Sequence, residues 1–129
     1  MRIENNGTKK IAIVGLSNKP DRDSYKVAKY LQEAGYEIIP VNPVVDEVLG
    51  VKAVRSLEEL PTSVDLIDVF RRSEETVPVA KMAVKTGAKV FWLQLGIENE
   101  EAERIAREGG MEVVMNRCIK IEHARLIGR

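Results

Sequence analysis

A parallel β-sheet covered by helices on both faces is the fold class this sequence predicts, and three observations predict it. Residues 11–17 read Ile-Ala-Ile-Val-Gly-Leu-Ser, a continuous apolar run ending at a glycine, which is how a strand buried on both faces enters a tight turn. A second apolar segment, residues 36–43 (Tyr-Glu-Ile-Ile-Pro-Val-Asn-Pro), follows after one helical stretch from Ser24 to Ala34 closed by Gly35. Strand-like and helix-like segments then alternate to the end of the chain, the order that builds strand–helix–strand units with right-handed crossovers.

Taken in order, the strands are expected at Ile11–Leu16, Glu37–Val41, Leu66–Phe70, Lys89–Leu93 and Glu112–Met115. The helices are expected at Ser24–Ala34, Thr76–Thr86, Asn99–Glu108 and Arg117–Leu126. Gly35, Gly87 and Gly109 each follow a helix, where the chain turns through the left-handed region. Pro78 falls in the first turn of its helix, where a missing N–H is harmless. Ser56-Leu57-Glu58-Glu59 has capping-box spacing and predicts a short helical turn. The whole is a Rossmann-like five-stranded sheet, expected in the order 3-2-1-4-5, which reverses between the first and fourth strands. Ligands of such sheets bind beyond the carboxyl ends of the strands at the reversal. Ser17–Asp23 and Gln94-Leu95-Gly96 are therefore expected to converge, with Asn42-Pro43 and Phe70-Arg71-Arg72 alongside.

A chain of 129 residues fits one domain spanning residues 1–129. Its 20 basic and 20 acidic residues cancel, so no global field draws it to nucleic acid or an anionic membrane. One cysteine excludes an internal disulfide and makes the cytoplasm the default setting. No apolar run approaches the ~20 residues that span a bilayer, and Met1–Asn6 has no signal-peptide core.

The loop after the first strand carries the most chemistry. A dinucleotide fingerprint would place glycine at 15, 17 and 20, whereas this chain has Gly15, Ser17 and Pro20. The acidic residue that grips a ribose after the second strand is replaced by Asn42-Pro43. The loop instead offers hydroxyls at Ser17 and Ser24, a cation at Arg22, and the amides of the helix that follows, a combination suited to a phosphate. The plainer alternative makes Ser24 a helix cap, Arg22 a solvated charge and Gly15 a turn former. Arg71 and Arg72 at a strand's end could hold a phosphate or carboxylate, or simply face water; Phe70 could be core or stack on a base. Gln94 and Gly96 stand where a ligand approaches backbone. Trp92 reads as packing, His123 as a solvated or capping residue, and Cys118 as a small buried hydrophobe or a functional thiol. No nucleophile elbow, zinc-helix pair or P-loop is present, and no spacing suggests a metal site.

Five segments together resemble a known family: Val14-Gly15-Leu16-Ser17, Pro40-Val41-Asn42-Pro43, Asp68-Val69-Phe70-Arg71-Arg72-Ser73-Glu74, Trp92-Leu93-Gln94-Leu95-Gly96-Ile97 and Asn116-Arg117-Cys118-Ile119. They are similar to the small stand-alone CoA-binding proteins, whose fold is like that of the N-terminal CoA-binding domain of the succinyl-CoA synthetase alpha subunit. The resemblance runs from about Lys10 to Leu126. It implies coenzyme A as the cofactor, with Gly15, Ser17, Arg22 and Ser24 facing the phosphates. It further implies Asn42, Pro43, Phe70 and Arg71 bordering the nucleotide, and Gln94, Gly96 and Ile97 lining the pantetheine path. Asn116, Arg117 and Cys118 occupy the place of the synthetase's Pro-Asn-Cys-Pro segment. The synthetase's Gly-Phe-Thr-Gly loop is Gly-Leu-Ser-Asn here, and its second domain with the phosphorylated histidine has no counterpart.

The expectation is a cytoplasmic module that binds CoA or an acyl-CoA without catalysis of its own. An NAD(P)-dependent oxidoreductase, or an interaction module with a relic nucleotide site, are the rival readings.

Overall fold

A computed structural model describes residues 9–127; the Met1–Asn6 segment lies outside the described residues. The chain runs β1 (Lys10–Val14), α1 (Asp23–Glu33), β2 (Glu37–Val41), β3 (Glu47–Val48), β4 (Val51–Lys52), β5 (Leu66–Val69), α2 (Thr76–Lys85), β6 (Val90–Leu93), α3 (Glu100–Glu108), β7 (Glu112–Val114) and α4 (Ile119–Ile127). The short 3-10 turn at Leu57–Glu59 falls where the capping-box spacing put it, although Ser56 makes no side-chain cap bond. The main sheet has five parallel strands with helices around it, the α/β Rossmann-like fold expected.

The order of the strands differs from the expected 3-2-1-4-5. The sheet reads β2-β1-β5-β6-β7, so the third main strand lies on the opposite side of β1 from β2. Pro40 supplies the physical reason. Its carbonyl accepts from the Val54 N–H at 2.9 Å on the outer edge of β2, so the position that lacks an N–H faces that same edge. A full strand there would lose a ladder bond, and proline is confined to edges for this reason. A single parallel bridge between Val41 and Val54 covers the edge instead. The β3–β4 hairpin that follows β2 turns through Leu49 and Gly50, both at positive φ, the geometry of a tight hairpin turn.

Both faces of the sheet are buried, which explains the unbroken apolar runs of the strands. Ala12, Ile39, Ile67 and Phe91 face α2 and α3, where Ala80, Ala83, Ala102 and Ala106 let the helices approach closely. Ile11, Ile13, Ile38, Leu66 and Trp92 face Val27, Ala28 and Leu31 of α1 and Ile119 of α4. Two expectations need correction. Gly109 has φ −82°, and Gly110 is the left-handed residue; Gly109 is required because a Cβ there would come within 2.5 Å of Val84. His123 is buried rather than solvated, with Nδ1 2.8 Å from the Tyr30 hydroxyl and its ring edge-on to Tyr30 and Tyr36.

Candidate functional site

With this order, the sheet reverses between β1 and β5, not between the first and fourth main strands. The loops after Val14 and Val69 are thus the primary pair, and Gln94-Leu95-Gly96 lies one strand further along. The two primary loops touch. Gly15 has φ +85°, and a Cβ built on it would sit 2.2 Å from the Phe70 carbonyl oxygen. Only glycine permits both the conformation and the approach.

The first loop is held by its own hydroxyls. Ser24 Oγ accepts from the Ser17 N–H, and Ser17 Oγ accepts from the Lys19 N–H, each at 3.0 Å. Both O–H hydrogens remain available to donate. Ser24 is therefore a brace across the loop and not the cap of its helix. Arg22 holds the N-cap position, and the Lys26 N–H to Arg22 carbonyl bond opens α1. The amides of Asp23, Ser24 and Tyr25 precede it and have no intrahelical acceptor. Asp23 and Ser24 line a cavity of about 340 Å³ together with Gly15, Ser17, Asp21, Arg22 and Phe70. Asp21 and Asp23 are acidic, so any attraction for an anion comes from directed amide and hydroxyl donors together with the one guanidinium, and not from net charge.

Gly15 is shared with a second cavity of about 460 Å³ between β2 and α2, lined by Pro43, Arg55, Leu57, Arg71, Val79 and Met82 among others. Arg71 enters this space while pairing Glu75 at 3.4 Å; Arg72, more exposed, pairs the same carboxylate at 2.9 Å. The hydrogen bond from Arg72 holds Glu75 below the usual carboxylate range. Phe70 is shared with a third cavity, of about 390 Å³, whose lining includes Lys26, Val27, Gln94, Ile97, Cys118 and Ile121. Phe70 thus stands between the first and third spaces while packing, partly buried, on the core. The three cavities form a row across the carboxyl ends of the strands.

Four of the expected residues support the walls instead of forming them. The Asn42 side-chain amide donates to the Leu16 carbonyl, and its Oδ1 accepts from the Val44 N–H, tying β2 to the first loop. Asn116, at φ +58°, accepts from the Gly96 N–H at 2.6 Å and fixes the turn after β6. The Arg117 carbonyl accepts from Trp92 Nε1 at 2.7 Å, and its guanidinium pairs with Glu122 at 3.9 Å. Gln94 is 4% exposed; its Oε1 accepts from the Ile119 N–H, and its amide nitrogen has no partner among the described residues. Cys118 is half-buried and lines the third cavity, so it is not simply a core hydrophobe.

Sequence reasoning missed Arg55, Leu57, Val79 and Met82 in one cavity and Leu95, Lys26 and Ile121 in another. Val79, Met82, Lys26 and Ile121 reach the cavities from helices and Arg55 and Leu57 from the segment after β4, whereas Leu95 belongs to the loop already expected at the crevice without having been assigned a role. It also missed Asp68, one strand position below Phe70's loop. Asp68 is fully buried, and neither carboxylate oxygen has a hydrogen-bond partner among the described residues. Burial pushes its pKa well above the usual carboxylate range. Among the described residues no cluster of His, Cys, Asp or Glu is placed to hold a metal, and no helix is long and apolar enough to cross a membrane.

Comparison with known proteins adds to this geometry. Residues 9–124 match the family model described as CoA binding domain. Uncharacterized protein YneT of Bacillus subtilis (strain 168) is 55% identical over 117 residues, covering 91% of this chain and 87% of its own. The alpha subunit of acetate–CoA ligase [ADP-forming] II of Pyrococcus furiosus is 35% identical over 90% of this chain, which spans only 28% of that subunit. Among solved structures, a hypothetical protein from Pyrococcus horikoshii OT3 superposes with a TM-score of 0.92 at 45% identity, over 95% of this chain and 86% of its own. The fold and the expected resemblance are thereby borne out: the chain belongs to the CoA binding domain family.

Proposed function

We propose that the chain binds coenzyme A in the row of cavities across the carboxyl ends of β1, β5 and β6, and performs no chemistry of its own. The observation that carries this reading is the continuity of the row, because an extended ligand with an anionic middle needs donors at its centre and apolar space on both sides. Gly15, Ser17, Arg22 and Ser24 surround the central space and would receive the phosphates. Pro43, Phe70 and Arg71 would border the nucleotide, and Gln94, Ile97 and Cys118 the pantetheine arm. Asn42, Gly96, Asn116 and Arg117 act as positioning residues that fix the loops. The 35% identity to a CoA ligase subunit supports the ligand, while the small share of that subunit covered gives no ground for its reaction. No histidine is among the residues lining the three cavities, and His123 is committed to Tyr30, so Cys118 has no histidine partner in the site.

A thermal-shift panel against CoA, NAD and NADP tests the reading. A ligand at one hundred times its dissociation constant stabilises the folded chain by about 2.7 kcal/mol, which at ~3 °C per kcal/mol moves the midpoint by several degrees. CoA is expected to move it and NAD to leave it in place. A shift with NAD and none with CoA would restore the oxidoreductase reading.

A further inference from the structure

Building on the CoA reading, we propose that the preferred occupant is a thioester of CoA with a short apolar acyl group, and that this group lies against Leu95 and Ile121 in the third cavity. Those two side chains are 65% and 52% exposed, and they are two of the three large hydrophobics exposed among the described residues. Both line the same cavity, beside Val27, Phe70 and Ile97. Apolar side chains gathered at the mouth of a concave space mark a binding surface, whereas scattered ones do not.

Their exposure is built in and does not come from a fraying loop. Leu95 stands at the tip of a turn closed by the Ile97 N–H to Gln94 carbonyl bond at 2.9 Å, with Gly96 at φ +87°. Asn116 Oδ1 grips the Gly96 amide from one side, and the Asn116 N–H donates to the Ile97 carbonyl at 3.2 Å. The turn therefore cannot fold Leu95 inward. Ile121 is fixed by α4, whose first turn is held by Gln94 Oε1 on the Ile119 amide. The wall is preformed, and no described residue covers it.

The surroundings favour a ligand group as the cover. The cavity shares Phe70 and Asp23 with the central space at the start of α1, so a molecule anchored there by an anionic group reaches this wall without leaving the crevice. The charged residues in the lining are Asp23, at the shared end, with Lys26 and Lys120, and the buried Gln94 amide offers free N–H donors partway along. At about 390 Å³ the space falls within the range of small-molecule sites, roughly 300–1,000 Å³. An arm with a few polar atoms ending in a short hydrocarbon suits this lining; a terminal thiol alone would leave Leu95 and Ile121 in water.

Calorimetric titration of the full chain with CoA, acetyl-CoA, butyryl-CoA, hexanoyl-CoA and succinyl-CoA tests this. Each added methylene is expected to tighten binding by about three- to fourfold until the chain outgrows the wall, with butyryl-CoA at least tenfold tighter than CoA. Leu95→Ser and Ile121→Ser are both at exposed positions, and each should bring the butyryl-CoA to CoA affinity ratio down towards one. Binding of CoA with an equal or weaker affinity for butyryl-CoA would overturn the inference and leave the CoA reading standing. Binding of none of the five would remove both. Tighter binding of succinyl-CoA than of butyryl-CoA would overturn the apolar assignment. Sedimentation of the unliganded chain as a dimer that Leu95→Ser and Ile121→Ser dissociate would assign the wall to a second copy and likewise overturn it.

Discussion

Asp68 places a carboxyl in the middle of β5 with no exposed surface and no partner for either oxygen among the described residues. Since burial raises its pKa, the folded chain keeps a proton there at pH values where the unfolded chain has released it. The stability owed to that proton is complete below the unfolded value of about 4. It is lost as pH rises towards and through the raised folded value. Asp68→Asn cannot ionise. At neutral pH it is expected to exceed the parent in stability by about 1–3 kcal/mol and to lack this decline with rising pH. Urea denaturation of both proteins from about pH 4 to pH 8 measures the difference, and parallel curves would mean that the carboxyl has found a partner. Arg22 poses a different question, because it makes no ion pair among the described residues and lines the central cavity. Arg22→Ala should weaken CoA by about 1–3 kcal/mol through loss of a charge-assisted contact, while the midpoint of the unliganded chain stays put. Equal affinities by calorimetry would return Arg22 to the status of a solvated charge.

At the scale of elements, the rigidity of the site depends on the turn after β6 and its grip by Asn116. Asn116→Ala forfeits the bond to Gly96 and places an alanine at φ +58°, so a loss of about 1–2 kcal/mol of stability is expected. Asn116→Gly forfeits the bond without the backbone strain, so it should be the more stable of the two, with CoA weakened in both. Denaturation paired with calorimetry separates these effects; a stable alanine variant with parental affinity would make the brace irrelevant. Periodicity and glycines located the four helices and the five main strands of the described residues within about two residues. The β3–β4 hairpin escaped notice because its turn uses Leu49 at positive φ, where a sequence reader looks for asparagine or glycine. The site's loops were legible because they sit at strand ends. Its apolar walls were not, since Met82 and Ile121 point into cavities only through helix packing that no local pattern encodes.

Across the whole molecule, the one error of topology was the place of the third main strand, and its signal was present in Pro40. A proline within a strand marks an edge, and here the missing N–H faces the edge covered by Val54. The consequence for function is a shift of the crevice by one strand, which makes Gly15 and Phe70 its centre and gives Gln94 the flank. The three cavities then follow one another from α2 across the start of α1 to α4, and the central claim is that one CoA molecule occupies all three. Amide chemical-shift mapping on the uniformly labelled chain during titration with CoA reports this occupancy residue by residue. Saturable shifts are expected at Gly15, Ser17, Ser24, Phe70, Gln94 and Ile97, with the outer faces of α3 and β7 silent. Shifts confined to the region of Val44–Val54, or no shifts at millimolar CoA, would contradict it.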